Sequence, residues 1–188
     1  MRGFIPWIVS GCVSAWDWRW GAVAGLVTGL LLFVRERRRQ VPADALVLEA
    51  SSVLFFLVIG VYAFAAPGSP AERWYGVLSF GWLAGTAWGS LAVRHPFTLG
   101  IARRQTPEEY WNRPGFVAVN NVITAVWAAG FTFILLALIV CELTGAPGWV
   151  GWAARIAGLV APAVFTKVYP ARVRARTAAL EARSADTG

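Results

Sequence analysis

Long apolar runs, broken by short clusters of charge, proline and glycine, set the pattern of this chain. Apolar positions dominate residues 4–15, 20–34, 43–65, 74–93, 116–140 and 149–169, with Arg, Pro or Trp near most boundaries. A helix needs about 20 apolar residues to cross a hydrocarbon layer ~30 Å thick, and only helices and closed barrels satisfy their own backbone there. The pattern therefore predicts an all-α, polytopic transmembrane helical bundle with five or six membrane segments. The count turns on the first run, whose roughly twelve residues reach only about 18 Å as a helix. It either continues as one long helix through Val34 or turns at Trp16-Asp17-Trp18-Arg19-Trp20, three indoles around a charged pair, to make a helical hairpin. The hairpin is the preferred reading.

The breaks carry local signals. Arg35 and Arg37-Arg38-Arg39 close the second segment, and Pro42 precedes the third, which bears Glu49, Ser51 and Ser52 near its start. Pro67, Gly68 and Pro70 mark a turn. The fourth segment should stop at His95-Pro96-Phe97. Thr106-Pro107-Glu108-Glu109 has the spacing of a capping box and predicts a short interfacial helix at 107–112 that carries Tyr110 and Trp111. In the fifth segment Asn120, Thr124, Trp127 and Phe131 share a helical face, with Asn121 beside them. Gly145 and Pro147 form the next turn, and Pro170 should end the last segment. Residues 171–188 then read as a basic cytoplasmic tail, helical at first and fraying into disorder.

Composition changes the picture in two ways. With 57% hydrophobic residues, 14% charged residues and a mean hydropathy of +0.57, a water-soluble domain of this size could not hide its apolar surface. The net charge of +7 would suggest nucleic acid, but the arginines sit at the ends of apolar runs. Arg35 to Arg39, then Arg94, Arg103, Arg104 and Arg113, then Lys167, Arg172, Arg174 and Arg176 fall on one side if the runs span. That is the positive-inside pattern, and it makes the anionic headgroups of the bilayer, not nucleic acid, the partner.

Candidate chemistry is sparse. Two isolated cysteines, Cys12 and Cys141, and one histidine give neither a zinc set nor a pair of haem ligands, so no metal, cofactor or catalytic residue is expected. Candidate polar intramembrane or interfacial sites are Asp17, Arg155, Asn120, Asn121, His95 and Glu49. Arg155 lies inside an apolar run and needs a partner; Asp17, near the same outer side, is the expected one. Glu49 should reach the interface or pair with a nearby arginine, His95 should sit at headgroup level, and the asparagines should bond between helices. Gly21, Gly25 and Gly29 in the second segment, and Gly81, Gly85 and Gly89 in the fourth, form two stripes that let backbones approach. They are expected to pack against each other.

With these residues laid out, the chain resembles the intracellular septation protein A (YciB-like) family of bacterial inner-membrane proteins. Phe4-Ile5-Pro6 is similar to a Phe-Leu-Pro opening and Trp16-Asp17-Trp18 to a Tyr-Asp-Ile-Tyr motif, while Arg37-Arg38-Arg39-Gln40-Val41 resembles the basic stop. Pro96-Phe97 is similar to a Lys-Pro-Leu exit, with His95 in place of the lysine. Pro107 with Trp111, then Asn121 with Trp127, resemble a Pro-x-x-x-Trp followed by Asn-x-Ala-Trp, and Arg155 with Gly158 a Lys-x-Phe-Gly. Arg113-Pro114-Gly115-Phe116 is an addition to that pattern. The resemblance implies a multi-pass inner-membrane protein with its C-terminus in the cytoplasm, supporting envelope synthesis and division through other membrane proteins. It implies no enzyme activity and no cofactor.

Two other functions fit the residues. A small transporter or channel for an ion or lipid-linked solute would use Asp17, Arg155, Asn120 and Asn121 as polar waypoints, within a homodimer because the helices enclose little room. A membrane enzyme acting on a lipid or quinone would need His95, Glu108 and Glu109 to converge in one cleft.

Overall fold

The computed structural model describes residues 2–41, 46–104, 106–111 and 113–186. Among these residues seven α-helices follow one another: α1 (Ile5–Ser14), α2 (Trp18–Arg38), α3 (Val47–Ala65), α4 (Ala71–Ala92), α5 (Phe97–Arg103), α6 (Pro114–Thr144) and α7 (Gly148–Asp186). No strand occurs among the described residues.

Among the described residues three helices are long and apolar enough to cross a membrane: α3, α6 and the Gly148–Arg176 part of α7. A fourth span results if α4 and α5, bent by 79° at their junction, count as one broken span. This is fewer than the five or six expected. Helix α1 has 10 residues, about 15 Å of length. Arg19 and Arg35 bracket the apolar part of α2, leaving roughly 22 Å between them. The hairpin itself is present, because α1 ends at Ser14 and Asp17 caps α2 by accepting a hydrogen bond from the Arg19 amide at 2.8 Å.

Several boundaries differ from the sequence reading. Pro42 and the first residues of the expected third segment, 43–45, lie outside the described residues. At 106–111 the chain makes only a 3₁₀ turn, Glu108–Tyr110, with Pro107 in the capping position and no side-chain cap. The capping box does not close; instead Thr106 offers its carbonyl to the Trp111 indole at 2.9 Å. Asn112, the expected end of that helix, is not among the described residues. Pro170 does not end α7, which continues to Asp186 with Pro162 and Pro170 inside it. A proline removes one helical hydrogen bond and can kink a helix without ending it; between the two prolines the Thr166 hydroxyl adds a bond along the helix by donating to the Pro162 carbonyl at 2.8 Å. The tail is therefore helical through Asp186, and residues 187–188 lie outside those described.

The two glycine stripes do not meet. Gly21 faces Ser14 of α1, Gly25 lies under the Phe56 ring of α3, and Gly29 touches Val53 of α3. Gly81 faces Leu135 of α6, while Gly85 and Gly89 are exposed, with nothing within 4 Å of where a Cβ would stand. A close backbone approach joins helices that neither stripe marks: a Cβ on Gly130 of α6 would lie 2.6 Å from the Gly158 carbonyl oxygen of α7. Sequence spacing shows which residues share a face but not what that face meets.

Two aromatic clusters form the core. Phe4 stacks on Trp127 with centroids 5.0 Å apart and neighbours Phe97 and Phe131, while Trp7 packs on Phe55 and Phe56 at 5.0 and 4.8 Å. Trp7 touches both clusters, so the short α1 is wedged into the bundle. Indole N–H groups then tie helices together: Trp7 to Ser52 at 2.7 Å, Trp82 to Ser51 at 2.8 Å, Trp88 to Thr132 at 3.1 Å and Trp127 to Thr166 at 3.0 Å. Lacking water, an intramembrane indole must find an acceptor on a neighbour. Much of the high tryptophan content therefore works between helices, in addition to the exposed Trp16, Trp149 and Trp152 at the helix ends.

Candidate functional site

The most developed polar cluster lies at the basic end of the bundle, where α2 stops, α3 starts and α5 stops. Glu49 stands in the first turn of α3, Glu36 in the last turn of α2, and Arg104 caps the C-terminus of α5. Arg104 reaches inward and bridges both acids, with Nη2 at 3.0 Å from Glu49 Oε1 and Nη1 at 3.6 Å from Glu36 Oε2. The two carboxylate side chains are 4% and 5% exposed and that of Arg104 is 22% exposed; only the main chain at the end of α5 leaves Arg104 open as a residue. The N-terminal turn closes the cluster, because a Cβ on Gly3 would lie 3.5 Å from Glu49 Oε1. Taking carboxylates out of water is costly unless each is paired. Arg104 pairs with both acids and links the ends of three helices.

A second polar layer lies against it. Thr98 of α5 donates its hydroxyl proton to the Asn120 carbonyl at 3.0 Å, which leaves Thr124 as the donor in the 2.6 Å Thr98–Thr124 contact. The Asn120 side-chain amide returns to its own helix, donating to the Phe116 carbonyl at 2.9 Å. Ser90 fastens the α4–α5 bend by donating to the Ala87 carbonyl at 2.8 Å and accepting from the Phe97 amide at 3.2 Å. The bend is thus hydrogen-bonded at its corner. At the rim, Arg113 lies over Tyr110 at 4.4 Å and Arg103 over Trp111 at 5.5 Å.

The candidate residues end up in different places. Glu49 is buried and paired with an arginine, as expected. Asn120, Thr124, Trp127 and Phe131 are buried on one face of α6, but Asn121 is exposed, turned roughly 100° away by the helical period. His95 is exposed just after the end of α4, its main-chain amide bonded to the Ser90 carbonyl at 2.9 Å. Glu108 and Glu109 are exposed as well. Asp17 does not pair with Arg155: its carboxylate is taken by Arg19, Oδ2 to Nη2 at 2.8 Å and Oδ1 to Nε at 3.2 Å. The neighbour two residues away wins because the capping geometry of Asp17 already turns the carboxylate toward the start of α2. Arg155 lies half-buried in a separate cleft, with the Trp152 ring 5.3 Å away. Among the described residues no group of three or more His, Cys, Asp and Glu side chains could hold a metal ion.

Of the residues missed in the sequence, Glu36 had a signal, being the one acid inside the basic run from Arg35 to Arg39. Arg104 had none to separate it from its neighbours Arg103 and Arg94. Thr98 had none either.

Asp17 gives a pH prediction. The hydrogen bonds from Arg19 hold its carboxyl below the ordinary value of 3.8. A depressed native pKa adds stability that is fully present above the ordinary value and is lost as the pH falls through the lowered one. Asp17→Asn, which keeps a good helix cap but not the charge, should be slightly less stable than the parent at neutral pH and approach it as the pH falls, so that its loss of stability in acid is shallower. Unfolding midpoints from pH 6 to about pH 2 check this; parallel curves for the two proteins would remove the assignment.

Compared with protein-family models, curated proteins and solved structures, the chain matches none. Its function must be read from its own geometry.

Proposed function

We propose that this chain is an integral, non-enzymatic accessory protein of a bacterial inner membrane, supporting envelope synthesis and division through contacts with other membrane proteins. The observation that carries this reading is the internal use of its polar groups. Asp17 is engaged by Arg19, Glu36 and Glu49 by Arg104, and Asn120 by its own helix, while Asn121 faces outward. Transport needs its polar waypoints in one continuous line, and these groups are divided between the two ends of the bundle. Polar groups engaged between helices fix helix positions, and the protein then acts through the surface those helices present. The ordered motifs that resemble the septation family supply the envelope part of the proposal, and the arginine-rich end suits the anionic cytoplasmic leaflet.

The test is deletion of the gene in its source cells, followed by complementation. Cells lacking the protein should divide at abnormal length or width and become sensitive to inhibitors of wall synthesis, and the intact chain should restore both. Deleted cells with unchanged dimensions, septum spacing and inhibitor sensitivity would rule the reading out.

A further inference from the structure

A guanidinium keeps its charge and carries five N–H donors, so at membrane depth it needs an anion to receive them. Arg155 lies seven residues into α7 from Gly148, about 10 Å along the helix axis. The exposed Trp149 and Trp152 stand between it and the helix end, which puts it within reach of the headgroup layer. Space for the group has been cleared from two helices. A Cβ on Gly76 of α4 would lie 2.8 Å from Arg155 Nη2, and one on Gly151 of α7 3.3 Å from Nη1.

The guanidinium opens onto a cleft of about 220 Å³ lined by Arg73, Leu138, Glu142 and Gly148. Glu142 is the acid of that cleft, but its Oε2 accepts from Arg73 Nε at 2.7 Å and its main-chain carbonyl accepts from Arg73 Nη2. Among the described residues no carboxylate comes within 4.0 Å of Arg155 and none accepts a hydrogen bond from it; the Trp152 ring is its one cationic contact. The donors face a polar space bounded by a second arginine.

We propose that the Arg155 cleft binds a phosphate group of net negative charge, and its depth favours the phosphate of an anionic lipid headgroup, rather than one neutralised by choline, as the source. This does not rest on the accessory function proposed above. The test uses the full chain in detergent, with native mass spectrometry after addition of phosphatidylglycerol, phosphatidylcholine of the same acyl chains, or inorganic phosphate. The parent should retain one equivalent of phosphatidylglycerol more tightly than phosphatidylcholine, and Arg155→Gln should weaken that equivalent about tenfold, the order of one charge-assisted hydrogen bond. Gly76→Ala keeps the charge but occupies the cleared space, so it should weaken the same equivalent several-fold while the protein remains folded. Displacement of the lipid by inorganic phosphate would support the phosphate site with a free anion as its source. Equal retention of both lipids by the parent, with no competition from phosphate, would overturn the proposal. So would full retention of phosphatidylglycerol by either variant.

Discussion

Arg104→Leu destabilises the protein by about 3 kcal/mol, toward the lower end of the cost of breaking a buried ion pair. Two carboxylates lose their shared partner at once, and both are nearly inaccessible to water. The partly exposed Arg104 keeps the figure from being larger, since water can enter where the guanidinium stood. Removing the acids as well reverses the effect: Arg104→Leu with Glu36→Gln and Glu49→Gln should recover most of the loss, because the buried charges that needed the arginine are gone. Reversible unfolding in mixed micelles, followed by near-ultraviolet circular dichroism, measures both steps. A single variant within a few tenths of a kcal/mol of the parent would show that the cluster does not brace the helix ends. A triple variant as unstable as the single one would show that the arginine acts by packing.

The second large effect is expected at the α6–α7 contact. Gly130→Ala places a methyl 2.6 Å from the Gly158 carbonyl oxygen and 2.7 Å from Pro162 Cγ. Neither atom is the end of a flexible side chain, so the helices must separate. Overpacking of this kind costs about 1–3 kcal/mol, which exceeds the gain of up to about 1 kcal/mol from replacing glycine by alanine within a helix. Gly85→Ala and Gly89→Ala receive that gain without a clash, because nothing lies within 4 Å of either new methyl. The three variants should therefore move in opposite directions in the same unfolding assay. A Gly130→Ala protein at least as stable as the parent would contradict the close approach.

Element existence and direction were legible where the signal is local. The apolar runs, the hairpin at Trp16-Asp17-Trp18, the bend at His95-Pro96-Phe97 and the turn at Gly145, whose φ of +66° suits glycine, all follow from neighbouring residues. The pairing of Glu49 with an arginine could also be expected, since a carboxylate two turns or less from an arginine-rich end has few alternatives. The site as a whole was not legible. Glu36, Glu49 and Arg104 are separated by the α2–α3 connection and by two further helices, and which arginine arrives depends on the 79° bend that turns α5 back toward α3. Arg155 shows the same limit from the other side: its need for an anion was evident in the sequence, but Asp17 was engaged by Arg19.

The sequence by itself determined that the chain is helical and suited to a bilayer, and which end of the bundle is basic. Those properties come from composition along each run, and a hydrocarbon environment allows few backbone solutions. Only the tertiary structure decided which glycines receive a neighbour and which charges meet. Each of these depends on how far a helix is rotated about its axis and what packs beside it, and a repeat of 3.6 residues fixes a face without fixing its partner.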